Sequence, residues 1–467
     1  HLGEMDSEYI AYNFTGQPTS RLKQHQLPRT LAIFDLPQDR ITETLNEIRE
    51  NYSYTYDHAG RLLTVTRNDI VITKNEYNEL GQLKNKKQAD VLNSTYAYNI
   101  RGWAKSISET KTGFFQELKY SEGGLYNGNI AGLKTSYGGV VSTDLTYGYD
   151  YMSRMTQAIG RNADRQVLEI ESFSYDKHGN FTSMIRVQKG KLIDRILENK
   201  VRYEGNQLMS FETENTSVIS QAVQYPAPSS SFSYNKNGAQ TSDSGRGIVT
   251  IRYNYLNLPD TVQFQNGNQI YYTYSASGEK LRTKHIIVKD LLQPIVAGEI
   301  RDPNELNIIS TLVTDYVSNI IYEDKGSAFP NLEVYHEEGR ESYNLYEAMT
   351  HLYTKNTTYY LKDYIGNIRN VVTDKGCIVS QAEYYPFGTP YKKDPERYKY
   401  SGKEFDQMHG LNYYDFHARQ YDPLLARFTS MDPLAEKYYS WSPYMYCLNN
   451  PTNAVDPGGE DIVYINA

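Results

Sequence analysis

The chain has 467 residues, 13% of them aromatic and only 39% hydrophobic, and its 45 Tyr far outnumber its 14 Phe and 2 Trp. Tyrosine favours strands and carries a hydroxyl that must stay wet or find a partner, so this composition predicts broad, thin sheets in place of a thick core. A net charge of −8, with no Lys/Arg block longer than Lys86-Lys87 or Lys392-Lys393, excludes a nucleic-acid footprint, and no apolar run is long enough to span a bilayer. Cys377 and Cys447 form neither a disulfide framework nor a metal-ligand spacing, although a single bridge between them stays open. The chain opens at His1 without a signal pattern and reads as a fragment whose N-terminal repeats are missing.

Residues 1–50 carry no clear repeat and form a lead-in, in which the spacing of Ile41, Leu45 and Ile48 predicts one short helix. Over 51–283 one pattern recurs: aromatic, any residue, aromatic, then Asp or Asn, then Gly three residues later. Tyr54, Tyr56, Asp57 and Gly60 give the clearest copy. Tyr77, Asn78 and Gly81 follow, then Tyr96, Tyr98, Asn99 and Gly102, with Asp57, Asn78 and Asn99 spaced 21 residues apart. Later copies are Tyr147-Tyr149-Asp150, Phe173-Tyr175-Asp176-Gly179, Phe232-Tyr234-Asn235-Gly238 and Tyr272-Tyr274-Gly278. Residues two apart on a strand share a face, and Asx then Gly is turn chemistry, so each copy predicts half a hairpin. Leu62 to Thr66 is the first returning strand. Such hairpins cannot bury their aromatic faces alone; the predicted fold is all-β, a continuous ribbon winding into a shell. A propeller repeats at about 40–50 residues, longer than this hairpin period.

Residues 213–231, rich in Ser with Pro226 and Pro228, read as an irregular insertion. Residues 284–394 continue the shell with longer loops around Ile286–Val288 and Ile308–Val313, and Leu361 to Arg369 reads as strand, turn, strand. A denser pattern fills 395–460: Tyr400-Ser401-Gly402-Lys403-Glu404, Gly410-Leu411-Asn412-Tyr413-Tyr414-Asp415, Ala418-Arg419-Gln420-Tyr421-Asp422-Pro423, Arg427-Phe428, Asp432-Pro433 and Asn449-Asn450-Pro451. The repeats resemble the YD repeats of Rhs proteins, teneurins and insecticidal toxin-complex subunits across roughly 50–460, and the denser run resembles the Rhs repeat-associated core. That resemblance implies a hollow, in this chain partial, shell that encloses a toxic C-terminal cargo. Residues 395–460 would then be a plug with minor short helices, and 461–467 the start of a variable region. It implies as partners the chain's own C-terminal toxin segment and missing N-terminal repeats, a secretion machinery and an immunity protein. It also implies a secreted or surface location on a bacterium engaged in interbacterial competition.

The same resemblance supplies the candidate catalytic pair. Asp432-Pro433 and Asp456-Pro457-Gly458-Gly459 stand 24 residues apart; in the resembling proteins two such aspartates meet and cut the chain just after the second motif, here near Glu460-Asp461. Two carboxylates about 3 Å apart share one proton, so one activates water while the other donates. Arg427 is the nearest basic residue that would assist. Met431, Leu434-Ala435 and Glu460 depart from the pattern. Read locally, Asp432 is an N-cap before Pro433 and a short helix over Ala435–Tyr439, and Asp456-Pro457-Gly458 is a turn. No nucleophile-elbow, zinc-protease, Walker or dinucleotide motif is present, the His residues form no ligand set, and no metal or cofactor is expected. A second function stays open: a surface adhesion protein offering Tyr-rich strands to glycans or partner cells, without scission. Exposed aromatic stripes would mark adhesion, and inward-facing ones encapsulation.

Overall fold

The computed structural model describes residues 6–26, 47–121, 125–162, 164–188, 194–197, 201–212, 227–289, 293–326, 331–344 and 354–465. The repeats that turn at Asp or Asn close their hairpins in one way. Asp57 Oδ1 accepts from the amides of Ala59 and Arg61, both at 2.9 Å, and Gly60, at φ 78°, donates its N–H to the Asp57 carbonyl. Asn78, Asn99, Asp150, Asp176, Asn235 and Asn254 repeat the same double acceptance. The strand register then slips immediately before the second aromatic, at Thr55/Tyr56, Glu76/Tyr77, Ala97/Tyr98, Gly148/Tyr149, Ser174/Tyr175, Ser233/Tyr234, Arg252/Tyr253 and Thr273/Tyr274. A bulge at the same place in each hairpin adds the same increment of right-handed twist.

Two compact units are built from these hairpins. The first comprises His1–Phe114, Thr314–Leu361 and Val371–Val379. Its strands Asp6–Tyr12, Pro18–Gln26, Glu47–Tyr56, Leu62–Arg67, Ile70–Tyr77, Leu83–Gln88, Leu92–Tyr98 and Ala104–Glu109 pair antiparallel in chain order. Ile320–Asp324, Asn331–His336, Gly339–Asn344 and Thr354–Lys362 form a second antiparallel run. Tyr52, Val65 and Ile72 pack in one apolar cluster, and Ile48, Tyr322, Leu332 and Val334 in another. The short helix expected over 41–50 is corrected where it can be seen: Glu47–Glu50 belongs to a strand whose buried positions, Ile48, Glu50 and Tyr52, alternate with period two. Residues 41–46 lie outside the described residues.

The second unit comprises Phe115–Val313, Lys362–Asn370 and Ser380–Ala467. Strands from Gly132–Tyr137 to Asp194–Leu197 form one antiparallel run, and those from Arg202–Glu204 to Lys280–Val288 another. Of the insertion expected over 213–231, residues 213–226 lie outside the described residues, whereas Ser229–Ser231 begin the strand Ser229–Tyr234. The dense C-terminal pattern forms a four-stranded sheet, Glu404–Asp406, Tyr413–Asp415, Gln420–Asp422 and Arg427–Phe428. Its aromatic side chains make the unit's main core: Tyr400, Tyr414, Phe416, Tyr421, Phe428 and Tyr446 pack together with Phe173, Phe181 and Phe387 of the repeats. Among the described residues every helix is a 3-10 turn of three or four residues. None is long and apolar enough to cross a membrane.

Candidate active site

Arg419 precedes the third strand of the four-stranded sheet, Asp432 follows the fourth, and Asp456 follows the short strand Ala454–Val455. The approach to Asp456 is rigidly held. Cys447, Leu448 and Asn449 form a left-handed turn at φ 48°, 52° and 57°, a conformation that costs L-residues about 1–2 kcal/mol each. The turn is fixed by Asn449 Nδ2, which donates to the Gly179 carbonyl at 2.8 Å, and by Asn450 Nδ2, which donates to Asn129 Oδ1 at 3.1 Å. Beyond it Asn453 Oδ1 accepts from the Ile130 amide. The repeat turn at Gly179 and the loop at Asn129–Ile130 thereby anchor the segment that carries the second aspartate.

The two aspartates meet on one cation. Arg419 Nη2 donates to Asp432 Oδ2 at 3.1 Å and to Asp456 Oδ2 at 3.3 Å, its Nη1 donates to the Pro443 carbonyl, and its Nε to the Gly459 carbonyl. The guanidinium is buried and lies over the Phe428 ring, 3.6 Å from its centroid. Each aspartate divides its oxygens. Asp432 Oδ1 accepts from the Leu434 amide, and Asp456 Oδ1 from the amides of Gly459 and Glu460 at 2.7 and 3.0 Å. Both Asp-Pro steps thus form turns, while the second oxygen of each faces Arg419. A 3-10 helix follows at Ala435–Tyr438, but its N-cap position is Leu434 and not Asp432.

Burial pushes both carboxyls above the usual range, with Arg419 opposing, and each is raised or crowded further by neighbouring acid: Asp461 at Asp432, Asp432 at Asp456. Burial also lowers the Arg419 pKa, against the pull of both aspartates. One cation thus faces both acids. Arg427 is not brought to this cluster: it donates to the Asn206 carbonyl and lies over Tyr203 and Tyr444. The sequence signal for Arg419 was a cation lodged among Tyr413, Tyr414, Phe416 and Tyr421, where an unpaired charge has no place. Glu460 gives its amide to Asp456, and Asp461 pairs with Lys437 at 2.8 Å. Among the described residues no cluster of three or more His, Cys, Asp and Glu is placed to hold a metal. Cys377 is exposed and Cys447 buried, both as free thiols.

No family model matches the sequence. Salivary gland surface protein 1 of Aedes aegypti is 33% identical over 34% of the chain and 5% of that protein. The tRNA3(Ser)-specific nuclease WapA of Bacillus spizizenii is 25% identical over 49% of the chain and 9% of that protein, and toxin subunit YenC1 of Yersinia entomophaga 36% identical over 20% and 10%. The matches therefore span a tenth or less of these relatives. The fold of the TcdB2-TccC3-Cdc42 crystal structure matches 98% of the chain and 24% of that chain, with TM-score 0.60 and 16% identity. A Photorhabdus luminescens Tc holotoxin pore with a mutated TccC3 matches all of it and 24% of that chain, with TM-score 0.55 and 16% identity. In its strand architecture the chain has the all-β fold seen in the toxin-complex TcdB2-TccC3 structures, and in its hairpin repeats it is similar to Rhs-type YD-repeat proteins.

Proposed function

We propose that the chain is the closing part of a toxin-carrying shell that hydrolyses its own backbone once, beside Glu460, to free a C-terminal toxin segment. The observation that carries this reading is the convergence of Asp432 and Asp456 on Arg419, with the Gly459 carbonyl on the same guanidinium. The aromatic faces support enclosure over adhesion: Tyr147, Phe173, Phe232 and Tyr272 are each under a tenth exposed, so they are withheld from any external glycan. Toxin and nuclease relatives support the cargo's class. A secreted or surface location, a secretion machinery and an immunity protein belong to the same reading.

The Gly459–Glu460 peptide is the one gripped from both sides. Arg419 polarises the Gly459 carbonyl and stabilises the oxyanion as it forms, and Asp456 lies against the Glu460 amide nitrogen. Ionised Asp432 takes a proton from water, whose oxygen attacks the Gly459 carbonyl carbon. Protonated Asp456 gives its proton to the Glu460 nitrogen as the C–N bond breaks. A product ending at Gly459, not at Glu460, is expected.

The test is the chain extended beyond Ala467 by a reporter segment, with denaturing mass measured over time. The parent should give two masses. Asp432→Asn and Asp456→Asn should each slow scission on the order of 100-fold or more, and Arg419→Lys, which keeps the charge but loses the fork, should slow it too. Because one carboxyl must hold a proton and burial raises both pKa values, scission should slow as pH rises. Equal cutting in every variant would mean acid-labile Asp-Pro chemistry or a foreign protease, and the reading would be dropped.

A further inference from the structure

The residues just beyond the proposed scissile bond are not free. Asp461 pairs with Lys437 Nζ at 2.8 and 3.1 Å, and the Ile462 amide donates to the Tyr438 hydroxyl at 3.3 Å, both from the 3-10 helix that follows the first Asp-Pro step. Val463 and Tyr464 then pair antiparallel with Val455 and Ala454, the residues that lead into Asp456, and the Ile465 amide donates to the Asn453 carbonyl at 3.0 Å. Ile462 and Ile465 pack, half-buried, against the unit's aromatic core. Backbone ladder, apolar anchors and one charge pair converge on five consecutive residues, the pattern of strand addition in peptide recognition.

We propose that Asp461–Ile465 is a retaining strand: it holds the bond in register before scission and keeps the C-terminal product docked on the protein afterwards, so cutting and release are separate events. The proposal rests on the self-scission reading for its purpose but not for its test. The partner is the chain's own severed end, bound through main-chain pairing to Asn453–Val455, side-chain anchorage by Ile462 and Ile465, and the Lys437 and Tyr438 clamp. None of these contacts crosses the bond that breaks, so hydrolysis removes none of them. The exposed Lys437–Asp461 pair contributes least, being open to screening by salt. Main-chain and apolar contacts therefore dominate, and retention should persist at high ionic strength.

Two arms test this. In the first, the extended chain is allowed to cut, then passed over a sizing column without denaturant in about 0.5 M salt, where the Debye length is about 4 Å and an exposed ion pair is largely screened. The two fragments should co-elute, whereas a chain carrying Ile462→Asp with Ile465→Pro, which removes both apolar anchors and one ladder donor, should shed its product at least tenfold faster. A parent that sheds its fragment at once, or a double variant that retains it as well as the parent, overturns the proposal. In the second arm the chain is ended at Gly459 and a labelled synthetic peptide of residues 460–467 is titrated against it. Saturable binding, weakened at least tenfold in the peptide bearing both substitutions, is expected; no binding, or equal binding, overturns the proposal. If the chain never cuts but the peptide binds, the scission reading falls and the docking strand stands.

Discussion

Tyr98 shows why the repeat uses tyrosine where phenylalanine would fill the same space. Its hydroxyl donates at 2.8 Å to the carbonyl of Leu83, the residue that pairs with Tyr77 beside the register slip of the preceding repeat. Tyr77 does the same to Leu62, the partner of Tyr56, and Tyr203 to Phe181, the partner of Tyr175. Where a bulge interrupts the ladder, a carbonyl needs another donor, and the next repeat supplies it. Tyr98→Phe should therefore lower stability by about 1 kcal/mol, read as a lower urea midpoint at unchanged slope. Tyr255→Phe, at a turn position 82% exposed, should leave the midpoint where it is. Equal effects from the two would show that ring burial alone is what the repeat selects.

Hairpins are stitched to their neighbours through the turns: Gln17 Nε2 donates to the Gly60 carbonyl at 2.7 Å, Gln82 Nε2 to Gly102 and Arg154 Nη1 to the Asp176 carbonyl. Turn glycines consequently differ in what surrounds them. Gly179 and Gly205 both have positive φ, 85° and 58°, but a Cβ on Gly179 would stand 3.0 Å from Asn449 Nδ2 and 3.2 Å from Met445 Sδ, whereas one on Gly205 meets nothing within 4 Å. Gly205→Ala should cost about 1 kcal/mol of backbone strain. Gly179→Ala should cost more in thermal unfolding and also slow scission, because it displaces the asparagine that steadies the approach to Asp456; identical losses would remove the turn row from the site's support. The Asx–Gly turns and aromatic pairs were legible in the sequence because a turn is written in four adjacent residues. At Glu47–Glu50 the helical expectation fails because the strand's alternation runs through Glu50, a buried charge that hydrophobic periodicity cannot register. Asp432 and Asp456 could be named from a motif. The aromatic run around Arg419 says that this cation must find partners, but not that they are Asp432 and Asp456, 13 and 37 residues away.

The two units differ in their buried titratable groups, and the pKa shifts of those groups predict unequal responses to acid. The first is held by a buried charge network: Arg67 donates to Glu50 at 2.7 Å and bidentately to Glu341 at 2.6 and 3.0 Å, with Tyr52, Tyr343 and Lys355 on the same carboxylates. Burial opposes the Glu341 charge, but Arg67 and Lys355 outweigh it and hold its pKa at about 2, while desolvation lowers His336 to about 4. A carboxyl depressed in the folded state stabilises above its unfolded pKa, and that stability is lost as pH falls from about 4.5 towards 2. A histidine depressed in the folded state loses stability as pH falls from about 6.5 towards 4. Both work against the first unit in acid. In the second unit burial lifts Glu169 to about 7, and raises Asp422, Asp432 and Asp456. Acids raised in the folded state stabilise at low pH and lose that contribution as pH climbs through their folded pKa, near 7 for Glu169; His409, lowered to about 4, partly offsets this. The two tryptophans fall one in each unit, Trp103 in the first and Trp441 in the second, so Trp103→Phe and Trp441→Phe yield single-tryptophan reporters. Between pH 7.5 and 4 the urea midpoint reported by Trp103 should drop clearly further than that reported by Trp441. Adding Glu169→Gln should flatten the Trp441 response between pH 8 and 5 and leave the Trp103 response unchanged, because the titrating carboxyl is removed from one unit alone. Parallel decline of both signals, with no effect of the glutamine, would mean that acid acts on charge common to the whole chain and not on these buried groups.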